Sequence, residues 1–133
     1  MFVTNWISTT KIQKISEITN FFRHYFLSRT EVTLRYGHDT MVTPLTCLLN
    51  LNGYGEEIKD PEKVATQWFD YKITPMATNL QFVFYRNKAN DVLVKVLLCE
   101  DEATLPIKSD IAPYYHWSDF KAYCLGKLQE YKK

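Results

Sequence analysis

Residues 31–51 read EVTLRYGHDTMVTPLTCLLNL, and the spacing of the apolar side chains changes partway along this stretch. Up to Tyr36 apolar and polar residues alternate, which is the period of a β-strand with one buried face. From Met41 the apolar residues recur at helical spacing, and Pro44 falls in the first turn, where its missing N–H costs little. We therefore predict a strand up to Tyr36, a turn at Gly37, and a helix from Met41 to the end of the stretch.

A strand that stands alone cannot bury both of its faces, so the strand at residues 31–36 needs a partner. Two further strand-like runs, Leu80 to Arg86 and Val92 to Cys99, are joined by a polar segment at residues 87–91, which predicts a β-hairpin. The partner of the first strand is then this hairpin, another chain, or a portion of the protein that precedes this sequence.

Helices are predicted on both sides of these strands. Apolar residues recur every three or four positions from about Thr10 to Arg29, and Asp60-Pro61 is typical of a helix start. Ser118 is predicted to cap a final helix. The order of helices and strands predicts an α/β or α+β fold, and we favour α/β. The predicted apolar face of the final helix consists of Phe120, Cys124 and Leu128.

The composition limits the classes of protein to which the chain can belong. It has 133 residues, 46% of them hydrophobic, which is enough for one domain with a packed core and excludes intrinsic disorder. A net charge of +1 argues against nucleic-acid or membrane-surface binding as the main activity. No apolar run reaches the roughly 18 residues of a membrane-spanning helix. The three cysteines are odd in number and lack metal-site spacing, so a full disulfide framework is impossible, although one bridge is allowed, and we expect no metal site.

The turn between the first strand and its helix carries two titratable residues, His38 and Asp39. Ligands of α/β proteins bind beyond the carboxyl ends of strands, and a helix N-terminus offers free N–H groups to an anion. A histidine there can donate a hydrogen bond to phosphate, and the neighbouring carboxyl can act as a general acid if something negative keeps it protonated. The residues thus predict an anion site with a proton donor. The alternative is that Asp39 only stabilises the helix start and His38 is incidental.

This segment resembles the His-Asp motif of the histidine acid phosphatases, the phytase-like branch of the histidine phosphatase superfamily. Members of that family have an aromatic and a small residue after a strand, then His-Asp-Thr and an apolar helix; here these are Tyr36-Gly37 and His38-Asp39-Thr40. The family then has a proline-containing loop and a hairpin, which match residues 75–86 and 92–98. The resemblance covers roughly residues 31–99, and it is closest to the histidine-type phosphatases of Bacteroides-like bacteria.

The resemblance implies that residues 1–133 form a single partial domain, the C-terminal part of a three-layer α/β sandwich. It implies hydrolysis of phosphomonoesters, inositol phosphates being the favoured class, through a phosphohistidine intermediate and without a cofactor. By position, His38 binds the phosphate and Asp39 is the general acid, while Thr40 and Met76 contact the substrate. Relatives are usually exported, so the resemblance implies a periplasmic or secreted protein, although no signal peptide is recognisable in this sequence.

The sequence departs from the family in one respect. It lacks the Arg-His-Gly-x-Arg motif that supplies the nucleophile, and its one Arg-His pair, Arg23-His24, is followed by Tyr25 within a predicted helix. We therefore expect the chain to be inactive by itself and to associate with a missing N-terminal portion. One alternative is a non-catalytic remnant that binds a phosphorylated ligand or a protein partner. Self-association through an exposed sheet edge is a further expectation.

Overall fold

The structure is a computed structural model that describes residues 2–6, 32–34 and 36–131. The helix predicted from Thr10 to Arg29 lies outside the described residues, as do Arg23-His24 and the first residue of the predicted strand at 31–36.

The described strands form a six-stranded mixed sheet. Its order is β2-β1-β3-β4, and β5 and β6 both pair with β4 on the side away from β3. β1 and β2 run parallel, and every other pair is antiparallel. The strands are β1 (Phe2–Trp6), β2 (Val32–Leu34), β3 (Leu80–Arg86), β4 (Val92–Leu98), β5 (Asp101–Glu102) and β6 (Tyr114–His116).

The partner of the strand predicted at 31–36 is β1, a strand that the sequence analysis did not predict. β2 is confirmed as a strand over Val32–Leu34, and Tyr36 lies outside it, while Glu31 and Arg35 are not among the described residues. Its register pairs Val3 with Val32 and Asn5 with Leu34. β1 in turn connects β2 to the hairpin, because it pairs along its other side with β3. The prediction that the hairpin could pair directly with β2 is wrong, because β1 lies between them.

The predicted hairpin is confirmed as β3 and β4, whose register runs from Leu80 opposite Leu98 to Arg86 opposite Val92. In the turn, the backbone N–H of Asp91 donates to the side-chain oxygen of Asn87 at 2.9 Å. Alternate residues of both strands face one hydrophobic core, as the period of two requires. The buried residues of this face are Leu80, Phe82, Phe84, Val92, Val94, Val96 and Leu98.

Four helices are described. They are α1 (Asp39–Leu48), α2 (Pro61–Gln67), α3 (Asp70–Ile73) and α4 (Trp117–Tyr131). The Asp60 carboxylate accepts a hydrogen bond from the N–H of Glu62 at 3.2 Å, so the helix start predicted at Asp60-Pro61 is confirmed. α1 ends before the predicted Leu51, because Asn50 adopts a left-handed conformation with φ 47° and begins a separate 3-10 turn at residues 51–53.

The prediction that Ser118 caps the last helix is wrong. α4 begins at Trp117, immediately after β6, so Ser118 lies inside the first turn. Its hydroxyl donates to the carboxylate of Asp119 at 3.2 Å. Since β6 leads straight into the helix, no loop residue precedes α4 to act as a cap.

α1 and α4 pack on the same face of the sheet. Phe120 of α4 lies 5.6 Å from Phe82 of β3, measured between ring centroids. The Tyr123 hydroxyl of α4 donates to the carbonyl oxygen of Leu49, just past α1, at 3.0 Å. Helices on a mixed sheet confirm the α/β class. Within the described ranges, no helix is long and apolar enough to cross a membrane.

Candidate functional site

The segments that carry the candidate residues all lie at the same end of the strands, and that end forms one edge of the sheet. Because β1 and β2 are parallel, their carboxyl ends lie together, where Asn5 is opposite Leu34. Because β3 is antiparallel to β1, its first residue, Leu80, lies opposite Trp6 at that same edge. The turn that carries His38 and Asp39 and the loop that carries Met76 therefore leave the sheet on one side. We call this side the site edge.

His38 and Asp39 lie at the junction of the β2–α1 turn with the helix, as predicted. His38 is the residue before α1 and has extended backbone, and its carbonyl oxygen accepts a hydrogen bond from the N–H of Met41 at 3.0 Å. The His38 imidazole does not cap the helix. His38, Asp39 and Thr40 are all exposed, so a ligand in solution can reach their side chains.

The Asp39 carboxylate already interacts with the helix start. One of its oxygens accepts a hydrogen bond from the N–H of Thr40 at 2.7 Å. A carboxylate in the first turn also interacts favourably with the positive end of the helix dipole. This geometry supports a helix-stabilising role for Asp39, which is the alternative that the sequence left open, and it is compatible with a second role towards a ligand.

Met76 lies in the loop before β3, and its side chain is 98% exposed. Such a side chain lines no closed pocket among the described residues. The loop lies alongside α1, because the Thr43 hydroxyl of α1 donates to the Thr74 hydroxyl at 3.1 Å. The structure thus places Met76 at the site edge without enclosing it.

Ala77 is a feature of this loop that sequence reasoning missed. It has φ 60°, a left-handed conformation that costs a residue with a Cβ roughly 1–2 kcal/mol. Strained backbone of this kind clusters at functional sites. No sequence signal could have revealed it, because left-handed positions are usually marked by glycine or asparagine.

The described residues hold no group of three or more histidine, cysteine, aspartate or glutamate side chains arranged to bind a metal. Cys47, Cys99 and Cys124 are free thiols. Burial raises the pKa of Cys47, and it raises the pKa of Cys124 to about 12, so both thiols stay protonated at neutral pH. Neither is suited to act as a nucleophile.

Comparison of the chain with known proteins finds no matching family model and no matching curated protein.

Proposed function

We propose that this chain is the C-terminal segment of a histidine acid phosphatase that hydrolyses phosphomonoesters, with inositol phosphates as the favoured substrates. The observation that carries the proposal is the placement of exposed His38 and Asp39 where β2 ends and α1 begins. The strained loop at Ala77 and the exposed Met76 leave the sheet at the same edge, which supports a ligand site there.

In this proposal His38 binds the transferring group and Asp39 completes the bond cleavage. The imidazole donates a hydrogen bond to a non-bridging phosphate oxygen, where negative charge must be stabilised. A histidine of an Arg-His-Gly-x-Arg motif, which this sequence lacks, forms a bond to phosphorus while the ester P–O bond breaks. Asp39 gives its proton to the departing oxygen, which leaves as an alcohol. Water then hydrolyses the phosphohistidine.

The hydrogen bond between Thr40 and Asp39 sets a condition on this role. The Asp39 carboxylate accepts a hydrogen bond from the Thr40 N–H in this structure, whereas a general acid must carry a proton that it gives to the leaving group. We therefore propose that Asp39 acts as an acid only with substrate bound, or at mildly acidic pH. Thr40 contacts the substrate once its N–H no longer donates to the Asp39 carboxylate and donates to the substrate instead.

The finer fold is part of the same proposal. α1 and α4 form one helical layer on the sheet, and we propose that a second helical layer on the opposite face completes a three-layer α/β sandwich. A periplasmic or secreted location is proposed on the family resemblance alone.

The second candidate is a non-catalytic domain that binds a phosphorylated ligand or a protein partner. The absence of an Arg-His-Gly-x-Arg motif from the sequence favours it for this chain by itself. Val32 and Leu34 of β2 are about half exposed, at 53% and 52%, and β2 ends the described sheet order. Apolar side chains on such a strand suit a protein partner, either the N-terminal portion proposed above or a second copy.

Hydrolysis assays on the complete protein and on this chain test the two candidates. We expect the complete protein to cleave p-nitrophenyl phosphate and myo-inositol hexakisphosphate, and this chain alone to show no turnover above background. Asp39→Asn in the complete protein should lower turnover of the inositol phosphate by about 10²- to 10⁴-fold. It should lower turnover of p-nitrophenyl phosphate far less, because p-nitrophenolate leaves without a proton.

Asp119→Asn is the matched control, since Asp119 also lies in the first turn of a helix. It should leave both activities unchanged. Equal losses on the two substrates in Asp39→Asn would remove the general-acid assignment. Absence of any hydrolysis by the complete protein would leave the binding domain as the function.

A further inference from the structure

Asn52, in the turn after α1, connects that turn to the segment after β5 through a reciprocal set of hydrogen bonds. Its backbone N–H donates to the carbonyl oxygen of Thr104 at 2.9 Å. Its side-chain oxygen accepts from the backbone N–H of Thr104 at 2.8 Å and from the Thr104 hydroxyl at 3.1 Å. Both residues are exposed, so a connection between two segments far apart in the chain depends on the backbone and side chain of one asparagine within reach of water.

Asn52 precedes Gly53, and this is the only Asn-Gly pair in the sequence. An asparagine in this position is prone to attack by the next backbone nitrogen, because glycine has no side chain to hinder the approach. The other asparagines precede larger residues.

We propose that Asn52 is a deamidation site and that its conversion to isoaspartate breaks the connection to Thr104. The Gly53 nitrogen forms a bond to Cγ of Asn52, the Cγ–Nδ2 bond breaks, and ammonia leaves with the proton lost by Gly53. The resulting succinimide is hydrolysed by water. Attack at Cγ gives aspartate, and attack at the backbone carbonyl gives isoaspartate.

In the folded chain both reacting groups are held in other hydrogen bonds. The side-chain oxygen of Asn52 points to Thr104, while the N–H of Gly53 donates to the carbonyl oxygen of Asn50 at 3.3 Å. Cyclisation requires both to be released, so the reaction proceeds through local opening of residues 50–53. Its rate measures how often that turn opens.

The two products differ in what they do to the structure. Aspartate retains the side-chain oxygen that accepts from Thr104. Isoaspartate routes the backbone through Cγ and inserts a methylene group, so the reciprocal pairing can no longer form. The amide of Thr104 then loses its acceptor.

The test is incubation of the whole chain at mildly alkaline pH, folded and in concentrated urea, followed by peptide mapping and isoaspartate detection. We expect Asn52 to be modified in both states, and at least about tenfold faster in urea, since opening of the turn limits the folded rate. Equal rates in both states, or modification of other asparagines in preference to Asn52, would overturn the proposal.

Two variants distinguish the steps. Gly55→Ala should raise the folded rate towards the urea rate, because a Cβ on Gly55 collides with the carbonyl oxygen of Cys47 and disturbs this turn. Gly126→Ala, in α4, is the control and should leave the rate unchanged. In the purified isoaspartate form, the Thr104 amide should exchange hydrogen faster than in Asn52→Asp. Equal exchange would show that the connection survives the modification and would contradict the proposal.

Discussion

Tyr115 and Leu105 are joined by a buried hydrogen bond, in which the backbone N–H of Leu105 donates to the Tyr115 hydroxyl at 2.9 Å. Tyr115 lies in β6 and Leu105 in the segment that follows β5, and both side chains belong to the core. This bond satisfies a backbone group that water cannot reach.

Tyr115→Phe leaves the Leu105 N–H buried without an acceptor and should lower the free energy of unfolding by about 1–3 kcal/mol. Urea denaturation followed by circular dichroism measures this. Tyr71→Phe is the control, because Tyr71 is exposed, and it should change the free energy by less than about 0.5 kcal/mol. Equal effects of the two substitutions would mean that the bond to Leu105 contributes nothing.

Gly55 and Gly126 should respond in opposite directions to substitution by alanine. A Cβ on Gly55 collides with the Cys47 carbonyl oxygen, whereas a Cβ on Gly126 meets nothing within 4 Å. Gly126→Ala in α4 should stabilise the fold by about 0.5–1 kcal/mol, because alanine favours the helix. Gly55→Ala should destabilise it by more than about 1 kcal/mol. Thermal melts of both variants check the signs, and stabilisation by Gly55→Ala would show that the turn is not packed as described.

Thr43 and Thr46, both on α1, form a second matched pair. The Thr46 hydroxyl is fully buried and finds no hydrogen-bond partner in the described structure, while the Thr43 hydroxyl donates to Thr74. Valine keeps the shape of threonine without the hydroxyl. Thr46→Val should therefore stabilise the fold by about 1–2 kcal/mol, and Thr43→Val should destabilise it by about 1 kcal/mol. The order of the two denaturation midpoints is the readout, and the reverse order would contradict the assignment of the hydroxyls.

The buried thiol of Cys124 should make the fold sensitive to alkali. Burial raises its pKa from 9.0 to about 12, so above pH 9 the unfolded chain releases a proton that the folded chain retains. The protonated thiol's contribution to the free energy of unfolding is therefore complete below pH 9 and is lost as the pH rises towards 12. Over that interval it amounts to about 4 kcal/mol, from about 1.4 kcal/mol per pKa unit.

Cys124→Ala removes the titrating group and loses a little packing. At neutral pH the variant should be less stable than the parent chain by about 1 kcal/mol, and above pH 9 the difference should shrink and then reverse. Urea denaturation of both chains across this pH range measures the difference. A constant difference at all pH values would show that the thiol titrates normally.

Local patterns predicted the hairpin better than any other element. Leu80, Phe82 and Phe84 share one buried face, buried residues alternate along Val92–Leu98, and Asn87 and Asp91 provide the turn chemistry. The first strand has the predicted bounds, and the second ends at Leu98, one residue before the predicted Cys99. Elements set by long-range contacts were missed. β1 has only five residues and becomes a strand because β2 and β3 flank it, which no local pattern reveals.

The sequence predicted where the candidate site lies, but not which side chains the fold brings together there. The change of period after Tyr36 places His38 and Asp39 at a strand–helix junction, and the structure confirms that junction. That Met76 shares an edge with them follows from the pairing of β1 with β3, which depends on the unpredicted strand. The left-handed backbone of Ala77 has no sequence signature, because neither glycine nor asparagine marks the position.

Titration of the isotope-labelled chain shows whether a phosphoryl group binds at the start of α1. Inorganic phosphate and myo-inositol hexakisphosphate are added separately, and amide shifts are followed by nuclear magnetic resonance. We predict saturable shifts centred on residues 37–41, which His38→Ala weakens and His116→Ala, at the exposed end of β6, leaves unchanged. Shifts that are absent, or that survive intact in His38→Ala, would contradict binding at the start of α1.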